Sequence, residues 1–331
     1  MLQKGCLLFF VALIFMSQPL FAEQMLRPKL VGGTENAVFM PDGRFFVATH
    51  KGIVEIKTQA DNSPNCSVDT VQTLTVCTEV EPNFEDELWV FTGLTTDGTY
   101  LYAALVLPES NLMGLFTQPI RAALMRVLPG ANGEDKIVWK ELDDPVFYNG
   151  MTMLDDQTLL MTRFQSGWGA GLLSGRASDE PAGPAIDKLS ISDKATFEYD
   201  ISPWLDNGAK YLLPNGLQND GDNVYFIGGS SIFRIDVLSD GSAGEPVLLY
   251  TAPGKILDDF AITGDWLAIA ENGLTNSITY VHKWGARFPY KKSTGLVALS
   301  SLVVDPGIFG PQGSLVGTTV MTQGMYYYPA D

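Results

Sequence analysis

The sequence predicts an all-β protein, on three observations. Short runs rich in β-branched and aromatic residues recur along the chain, among them RFFVATH, TYLYAALV, NVYFIGG and WLAIA. Turn signals built from glycine, proline, asparagine or aspartate separate these runs at near-regular spacing. No long stretch after the N-terminal segment has helical periodicity.

The predicted turns share an aspartate that recurs at intervals of 40 to 66 residues. The turn aspartates are Asp42, Asp97, Asp156, Asp222, Asp265 and, in a weaker sixth unit, Asp305. Repeats of about 40 to 50 residues built from strands are typical of propeller blades, which bury their faces only by stacking. We therefore expect a six-bladed β-propeller rather than the alternative, a two-layer β-sandwich.

An oxygen-bearing side chain lies seven positions before the turn aspartate in four of these units. These anchor residues are Glu35, Asn149, Asn215 and Asp258, whereas the second unit has the apolar Val90. At about 3.3 Å per strand residue, seven positions span most of an inner strand. The four side chains are therefore expected to meet near the propeller axis, at the end opposite the turns.

Two carboxylates and two amide oxygens suit a hard cation, and Ca²⁺ takes six to eight oxygen ligands. We expect one Ca²⁺ in a central metal-binding channel. Cysteine and histidine are absent from the set, which disfavours zinc and copper. The alternative is that each Asn-Gly pair is an ordinary turn.

These motifs resemble the blades of the SMP-30/gluconolactonase family, which is kin to diisopropylfluorophosphatase, paraoxonase and strictosidine-synthase-like proteins. The segments that carry the resemblance are TENAVFMPDGRFFVAT, NGMTML, LLPNGLQNDGDNVYFIGG and LDDFAI. It implies a six-bladed propeller with one catalytic Ca²⁺. Asp259 stands where the family has glycine after Asp258, and paraoxonase-like relatives use two adjacent residues there, so both aspartates are candidate ligands.

The strand that follows each turn returns to the anchor end, so its last residues are expected to rim the site. They are His50, Arg163, Ser230 and Glu271. His50 is a candidate base, since histidine titrates near neutral pH, although an ordinary strand-end histidine is the alternative. The loops 108–119 and 165–187, the second with Trp168, are expected to cover the channel mouth and select the substrate, with insertions that have no role as the alternative.

The N-terminus predicts export. Residues 1–22 combine Lys4, an apolar run and a small residue, Ala22, as a cleaved signal peptide does. The pair Cys66 and Cys77 fits a disulfide in an oxidising compartment, with two free buried thiols as the alternative. The protein is therefore expected to be secreted or periplasmic, with residues 23–331 forming a single propeller domain.

The overall composition limits the partners. A net charge of −17 argues against nucleic acid and against anionic membrane surfaces. After the N-terminal segment, no stretch is apolar enough to span a bilayer. We expect a monomer with a small-molecule substrate.

Together these patterns predict a calcium-dependent hydrolase that acts on a lactone or an ester, with Asp258 and His50 as catalytic residues. The metal would polarise the carbonyl oxygen. The alternative is an exported propeller that binds a small molecule or a protein, with calcium in a structural role. A strictosidine-synthase-like condensing enzyme is a third option, but no distinctive amine-binding acid supports it.

Overall fold

The computed structural model describes twelve stretches of the chain. They are residues 25–26, 34–49, 52–61, 63–69, 74–81, 83–84, 87–107, 121–164, 183–285, 289–295, 297–319 and 324–330. The predicted signal peptide, His50, Trp168, the loop 108–119 and residues 165–182 of the second loop lie outside them.

Six sheets account for almost all of the strands in these stretches, and they are numbered here as blades one to six. Blade one contains β2 (Thr34–Phe39), β3 (Phe45–Thr49), β4 (Gly52–Lys57), β5 (Cys66–Asp69) and β6 (Leu74–Val80). Blade two contains β9 (Val90–Thr96), β10 (Leu101–Leu107), β11 (Arg121–Val127) and β12 (Ile137–Glu141). A two-stranded sheet of β7 (Asn83–Phe84) and β8 (Glu87–Leu88) lies between them in the chain.

The next three blades are four-stranded antiparallel sheets. Blade three contains β13 (Tyr148–Met153), β14 (Thr158–Arg163), β15 (Ile186–Asp193) and β16 (Glu198–Leu205). Blade four contains β17 (Pro214–Asn219), β18 (Asn223–Gly228), β19 (Ser231–Asp236) and β20 (Val247–Thr251). Blade five contains β21 (Ile256–Thr263), β22 (Trp266–Asn272), β23 (Asn276–His282) and β24 (Tyr290–Gly295).

Blade six joins the two ends of the chain. It contains β25 (Ser301–Val304), β26 (Leu315–Thr319), β27 (Gly324–Tyr328) and, as its outermost strand, β1 (Met25–Leu26). Met25 pairs with Tyr326, so an N-terminal strand completes the last blade. This closure was not anticipated from the sequence, whereas the all-β class and the six-bladed propeller are confirmed.

The first strand of each blade contacts the first strand of the next, and the contacts run in a closed cycle from β2 through β9, β13, β17, β21 and β25 back to β2. These six inner strands therefore surround the axis. In the described chain the helices are two 3-10 turns, Glu134–Lys136 and Gly208–Lys210. None of its helices is long and apolar enough to cross a membrane.

The core lies between the blades rather than within any one of them. For example, Phe46 and Ala48 of blade one pack in one cluster with Leu101 and Met125 of blade two. Similar clusters fill the other blade interfaces. A second strand such as β18 is covered on both faces by the neighbouring blades. This is why all six of its residues are buried.

The Cys66–Cys77 disulfide is present, as predicted. It links the directly paired positions of the outer strands β5 and β6 in blade one. The bond is therefore a local brace at the rim of the propeller.

Candidate metal centre

Four inner strands carry a two-residue β-bulge close to their first residue. In each, two residues of the inner strand lie opposite a single residue of the second strand. The bulged pairs are Glu35–Asn36, Asn149–Gly150, Asn215–Gly216 and Asp258–Asp259. A bulge interrupts the side-chain alternation and redirects a side chain, which is why bulges recur beside functional sites. The Asn-Gly pairs are thus bulges inside strands, not turns.

Blade two departs from the expectation at Val90. Its register shift leaves Thr92 unpaired, and the Asn36 side chain donates a 2.7 Å hydrogen bond to the Thr92 carbonyl oxygen. Thr92 therefore stands in register with the anchor residues. The seven-residue spacing is wrong in blade two because the turn is shorter there. Asp97 directly follows the end of β9, whereas Asp42 lies three residues after the end of β2.

Side chains of the first bulge residues make hydrogen bonds between blades. Asn149 Nδ2 of blade three donates to Glu35 Oε1 of blade one at 3.4 Å. Asn215 Nδ2 of blade four donates to Asp258 Oδ1 of blade five at 2.7 Å. Asn149 and Asn215 are buried, whereas Glu35 and Asp258 retain partial exposure. The structure thus brings the four predicted anchor residues together in two pairs.

Three carboxyl groups share this end of the propeller, because Asp259 is buried beside Asp258. Burial raises the pKa of Glu35 to about 7. The Asn149 hydrogen bond works in the opposite direction and lowers this pKa, whereas the negative charge of Asp259 raises it further. Burial and the charges of Glu35 and Asp259 raise the pKa of Asp258 well above its ordinary value. Burial raises the pKa of Asp259 to about 6.

Nothing in the described chain offsets these charges. None of its lysine, arginine or histidine side chains forms an ion pair with Glu35, Asp258 or Asp259. Buried carboxylates without a positive partner are costly, and a bound cation would remove that cost. Rotation of the Asn149 and Asn215 amides would present their oxygens instead of their nitrogens. The donor set therefore fits a hard divalent cation.

Hydrogen bonds between blades hold the anchor backbone in place. Thr162 Oγ1 donates to the Asn215 carbonyl oxygen at 2.7 Å, and Thr318 Oγ1 donates to that of Glu35 at 3.1 Å. In each case a second-strand threonine reaches the inner strand of the following blade. The anchor positions are thus fixed relative to each other by neighbouring blades.

The glycines of the Asn-Gly pairs are required by close approach. A Cβ atom on Gly150 would lie 2.3 Å from the Asn215 carbonyl oxygen, and one on Gly216 would lie 2.8 Å from the Asp259 Cα atom. Both distances are too short for any side chain. Glycine at this position lets each inner strand pack against the next.

Three of the four predicted rim residues lie within the described stretches, and they lie at the anchor end. Arg163 is paired with Tyr148, and Glu271 with Leu257, each next to an anchor residue. Ser230 lies in the turn after β18, where the neighbouring Gly229 carbonyl accepts from the Leu257 amide. Their contact with a substrate stays a prediction, as do the roles of His50 and Trp168.

Arg163 and Glu271 are already engaged within the protein. Asp187, fully buried, accepts from Arg163 Nε and from the Tyr148 hydroxyl, both at 2.5 Å. Glu271 accepts from Lys291 Nζ at 2.6 Å and from Thr279 Oγ1 at 2.6 Å. The Asp187 network was missed in the sequence, although an acid in the apolar strand AIDKLSI was a usable signal.

No protein-family model matches the chain, and no curated protein sequence matches it. Solved structures share its fold. A protein described as a candidate gluconolactonase has 14% identity and a TM-score of 0.54, with 93% of this chain and 92% of that chain covered. The PQQ-bound aldose sugar dehydrogenase of Streptomyces coelicolor has 12% identity and a TM-score of 0.53, with 93% and 98% covered.

A luciferin-regenerating enzyme has 15% identity and a TM-score of 0.50, with 78% of this chain and 81% of that chain covered. These neighbours differ in their chemistry while sharing one architecture. At such identities the similarity establishes the propeller fold and leaves the activity to the site.

Proposed function

We propose that this protein is a calcium-dependent hydrolase of the SMP-30/gluconolactonase type that acts on a lactone or an ester. One observation carries the proposal: the carboxyl groups of Glu35, Asp258 and the buried Asp259 lie with two buried amides, from four blades, at one end of the inner strands. No lysine, arginine or histidine of the described chain forms an ion pair with them. The gluconolactonase-like neighbour is consistent with it.

Glu35, Asn149, Asn215 and Asp258 would hold the ion, and oxygen-only donors of this kind are those that Ca²⁺ prefers. When bound, calcium would polarise the substrate carbonyl and stabilise the negative charge that develops on its oxygen. Asp258 has two possible roles. It either accepts a proton from the attacking water and passes it to the alkoxide that leaves as the ester C–O bond breaks, or it attacks the carbonyl carbon itself. In the second route the C–O bond breaks to give an acyl-enzyme, and water then hydrolyses this intermediate and supplies the proton that the alkoxide takes.

The alternative is a non-catalytic propeller in which calcium pins the blades together. The hydrogen bonds that already join blade one to blade three and blade four to blade five favour such a role. A structural ion would stabilise the fold without any turnover. The two functions therefore differ in a measurable way.

We also infer that the protein is exported. The predicted signal peptide at residues 1–22 supports export, and so does the Cys66–Cys77 disulfide, because such bonds persist in oxidising compartments. Recovery of the chain in the medium or periplasm, beginning at Glu23, would support this inference.

The experiment is a screen of lactones and aryl esters against the purified protein, with calcium and with a chelator. We expect hydrolysis only with calcium, and a loss of roughly 100-fold or more in Asp258→Ala, since such electrostatic groups carry effects of that size. Asp155→Ala is the control, because Asp155 is exposed at the opposite end of blade three. Its activity should stay unchanged.

Melting temperatures from the same samples separate the alternatives. Calcium-dependent stability without turnover of any substrate would favour the binding propeller. Hydrolysis that survives both the chelator and Asp258→Ala would overturn the proposed mechanism.

A further inference from the structure

In the four blades that carry the two-residue bulge, the second bulge residue lies against the following blade. In blade one, Asn36 Nδ2 donates to the Thr92 carbonyl oxygen of blade two at 2.7 Å. In blades three and four this residue is glycine, because the next blade occupies the space where a Cβ atom would stand. The position is therefore a contact between blades.

Asp259 occupies the same position in blade five and follows the same rule. Its Oδ2 atom accepts a 2.6 Å hydrogen bond from Ser301 Oγ of blade six, and Ser301 is itself buried. Backbone amides of Phe260 and Leu302 also donate to the carboxyl group. On the other side, its Oδ1 atom lies 2.5 Å from the place that a Cβ atom on Gly216 would take.

Asp258 differs from Asp259 in each of these respects. It retains partial exposure, and its hydrogen-bond donor is the Asn215 side chain, another first bulge residue. A bulge interrupts the side-chain alternation, so the partners of each side chain, and not the strand pattern, show where it points. The two aspartates thus divide between the axis and the blade interface.

We infer that Asp259 is a positioning residue and not a metal ligand: it ties the inner strand of blade five to blade six, holds Asp258 toward the axis and adds a negative charge beside the site. The inference rests on the proposed calcium site. With Glu35 and Asp258 as acidic ligands, Asp259 is a third carboxylate near a doubly charged ion, directed toward blade six and away from the ion.

The test measures calcium affinity by titration calorimetry and the melting temperature of the calcium-free full-length mature protein. The variants are Asp258→Asn, Asp259→Asn, Asp259→Ala and Ser301→Ala. Asn219→Ala is the matched control, because Asn219 Nδ2 donates to the Met153 carbonyl oxygen of the neighbouring blade at 2.9 Å, at the turn end. Asp259→Asn keeps an acceptor for Ser301 but removes the charge. We expect it to bind one calcium ion about tenfold more weakly, a size typical of residues that support metal ligands.

The remaining variants locate the effect. Asp258→Asn should weaken calcium binding by roughly 100-fold or more, since it removes a charged ligand. Asp259→Ala and Ser301→Ala should also lower the melting temperature of the calcium-free protein, because each breaks the contact between blades five and six. Asn219→Ala should lower the melting temperature and leave the calcium affinity within about twofold, because it breaks a contact between blades at the opposite end of the inner strand.

A turnover measurement separates positioning from ligation. At saturating calcium, Asp259→Asn should recover the parent kcat. Loss of calcium binding in Asp259→Asn as complete as in Asp258→Asn would show that Asp259 is a ligand and overturn the inference. Unchanged affinity in both Asp259 variants would overturn it as well. If Asp258→Asn itself leaves the affinity unchanged, the proposed calcium site fails instead. Should Asp259→Ala not fold, Asp259→Asn and Ser301→Ala still decide.

Discussion

At the turn end of blade two, the Asp97 carboxylate accepts from the Thr99 and Tyr100 amides and the Tyr102 hydroxyl, and Lys194 Nζ lies 2.8 Å away. At the opposite end of blade five, Asp258 accepts from Asn215 and faces two other carboxyl groups. Both aspartates belong to inner-strand hairpins. They differ in whether the protein supplies the partners that a carboxylate needs.

The pKa values follow this difference. Burial works to raise the pKa of Asp97, but the hydrogen bonds from Lys194 and from the Tyr100 and Thr99 amides outweigh it and hold the pKa below its ordinary value. At the anchor end, burial raises the pKa of all three carboxyl groups, and like charges raise the pKa of Glu35 and Asp258 further. The turn carboxylate is satisfied by donors of the protein, whereas the anchor carboxyl groups have no positively charged partner among the described residues.

Asp305, at the turn end of blade six, is also satisfied by backbone amides of its own loop. It is fully buried, and its two oxygens accept four backbone hydrogen bonds, from Gly307, Ile308, Phe309 and Gly310. The acid of the weakest repeat therefore shapes a loop. Burial alone therefore does not distinguish a functional aspartate from a structural one. The difference is in the number of donors, because Asp305 accepts from four backbone amides and Asp258 accepts from the Asn215 side chain.

The substitution expected to have the largest effect is Gly150→Ala, which disrupts the packing of blade three against blade four at the anchor end. The new Cβ atom would meet the Asn215 carbonyl oxygen at 2.3 Å and the Leu217 nitrogen at 2.7 Å, both backbone atoms. We expect the free energy of unfolding to fall by about 3 kcal/mol, the upper range for overpacking, and calcium binding to weaken. Urea denaturation and calorimetry measure the two effects.

Gly264→Ala is the control for this change. Gly264 has φ of 59°, and nothing lies within 4 Å of its Cβ position, so only backbone strain of roughly 1 kcal/mol should appear. An equal loss of stability in the two variants would contradict the close packing at the anchor end.

Asp97→Asn disturbs contacts at the turn end of blade two and none at the anchor end. It removes the charge that pairs with Lys194 and weakens the bond from Tyr102, so the free energy of unfolding should fall by about 1–2 kcal/mol. Calcium affinity should not change. Asp155→Asn, at an exposed turn position, should alter neither quantity. Reduced calcium affinity in Asp97→Asn would show that the two ends are coupled.

The smallest expected effect is a pH dependence that comes from the anchor end. The folded, calcium-free protein keeps protons on Glu35 and Asp259 up to pH values of about 7 and 6, whereas the unfolded chain releases them near pH 4. The folded state thus binds more protons in this window, and stability falls as pH rises from about 5 to 8. Melting temperatures in a chelator should decrease over that range.

Calcium should reverse this trend, because the ion binds the ionised carboxylates and its stabilising effect grows with pH. The gap in melting temperature between calcium and chelator should therefore widen from pH 5 to pH 8. A constant gap would argue against carboxylate ligands.

Much of the architecture could be read from the chain. The turn aspartates and the runs between them indicated six blades, and strands such as Asn223–Gly228 and Trp266–Asn272 fall where the pattern placed them. Four anchor residues followed from one spacing. The fifth, at Val90, was wrong by two positions, because that spacing assumed the same turn length in every blade.

Other parts of the site could not be found in this way. Ser301 is 42 positions from Asp259, and Asp187 is 24 from Arg163 and 39 from Tyr148. No local pattern connects such residues. Their contacts arise when separate strands are brought side by side, so a spacing rule within one repeat does not detect them.

The sequence by itself determined the repeated strand and turn pattern, and with it the number of blades and the candidate anchor residues, because alternation and turn chemistry act over a few neighbouring residues. Only the tertiary structure decided where each anchor side chain points. That direction depends on a bulge in each inner strand and on the neighbouring blade pressed against it, and both exist only once the ring is closed.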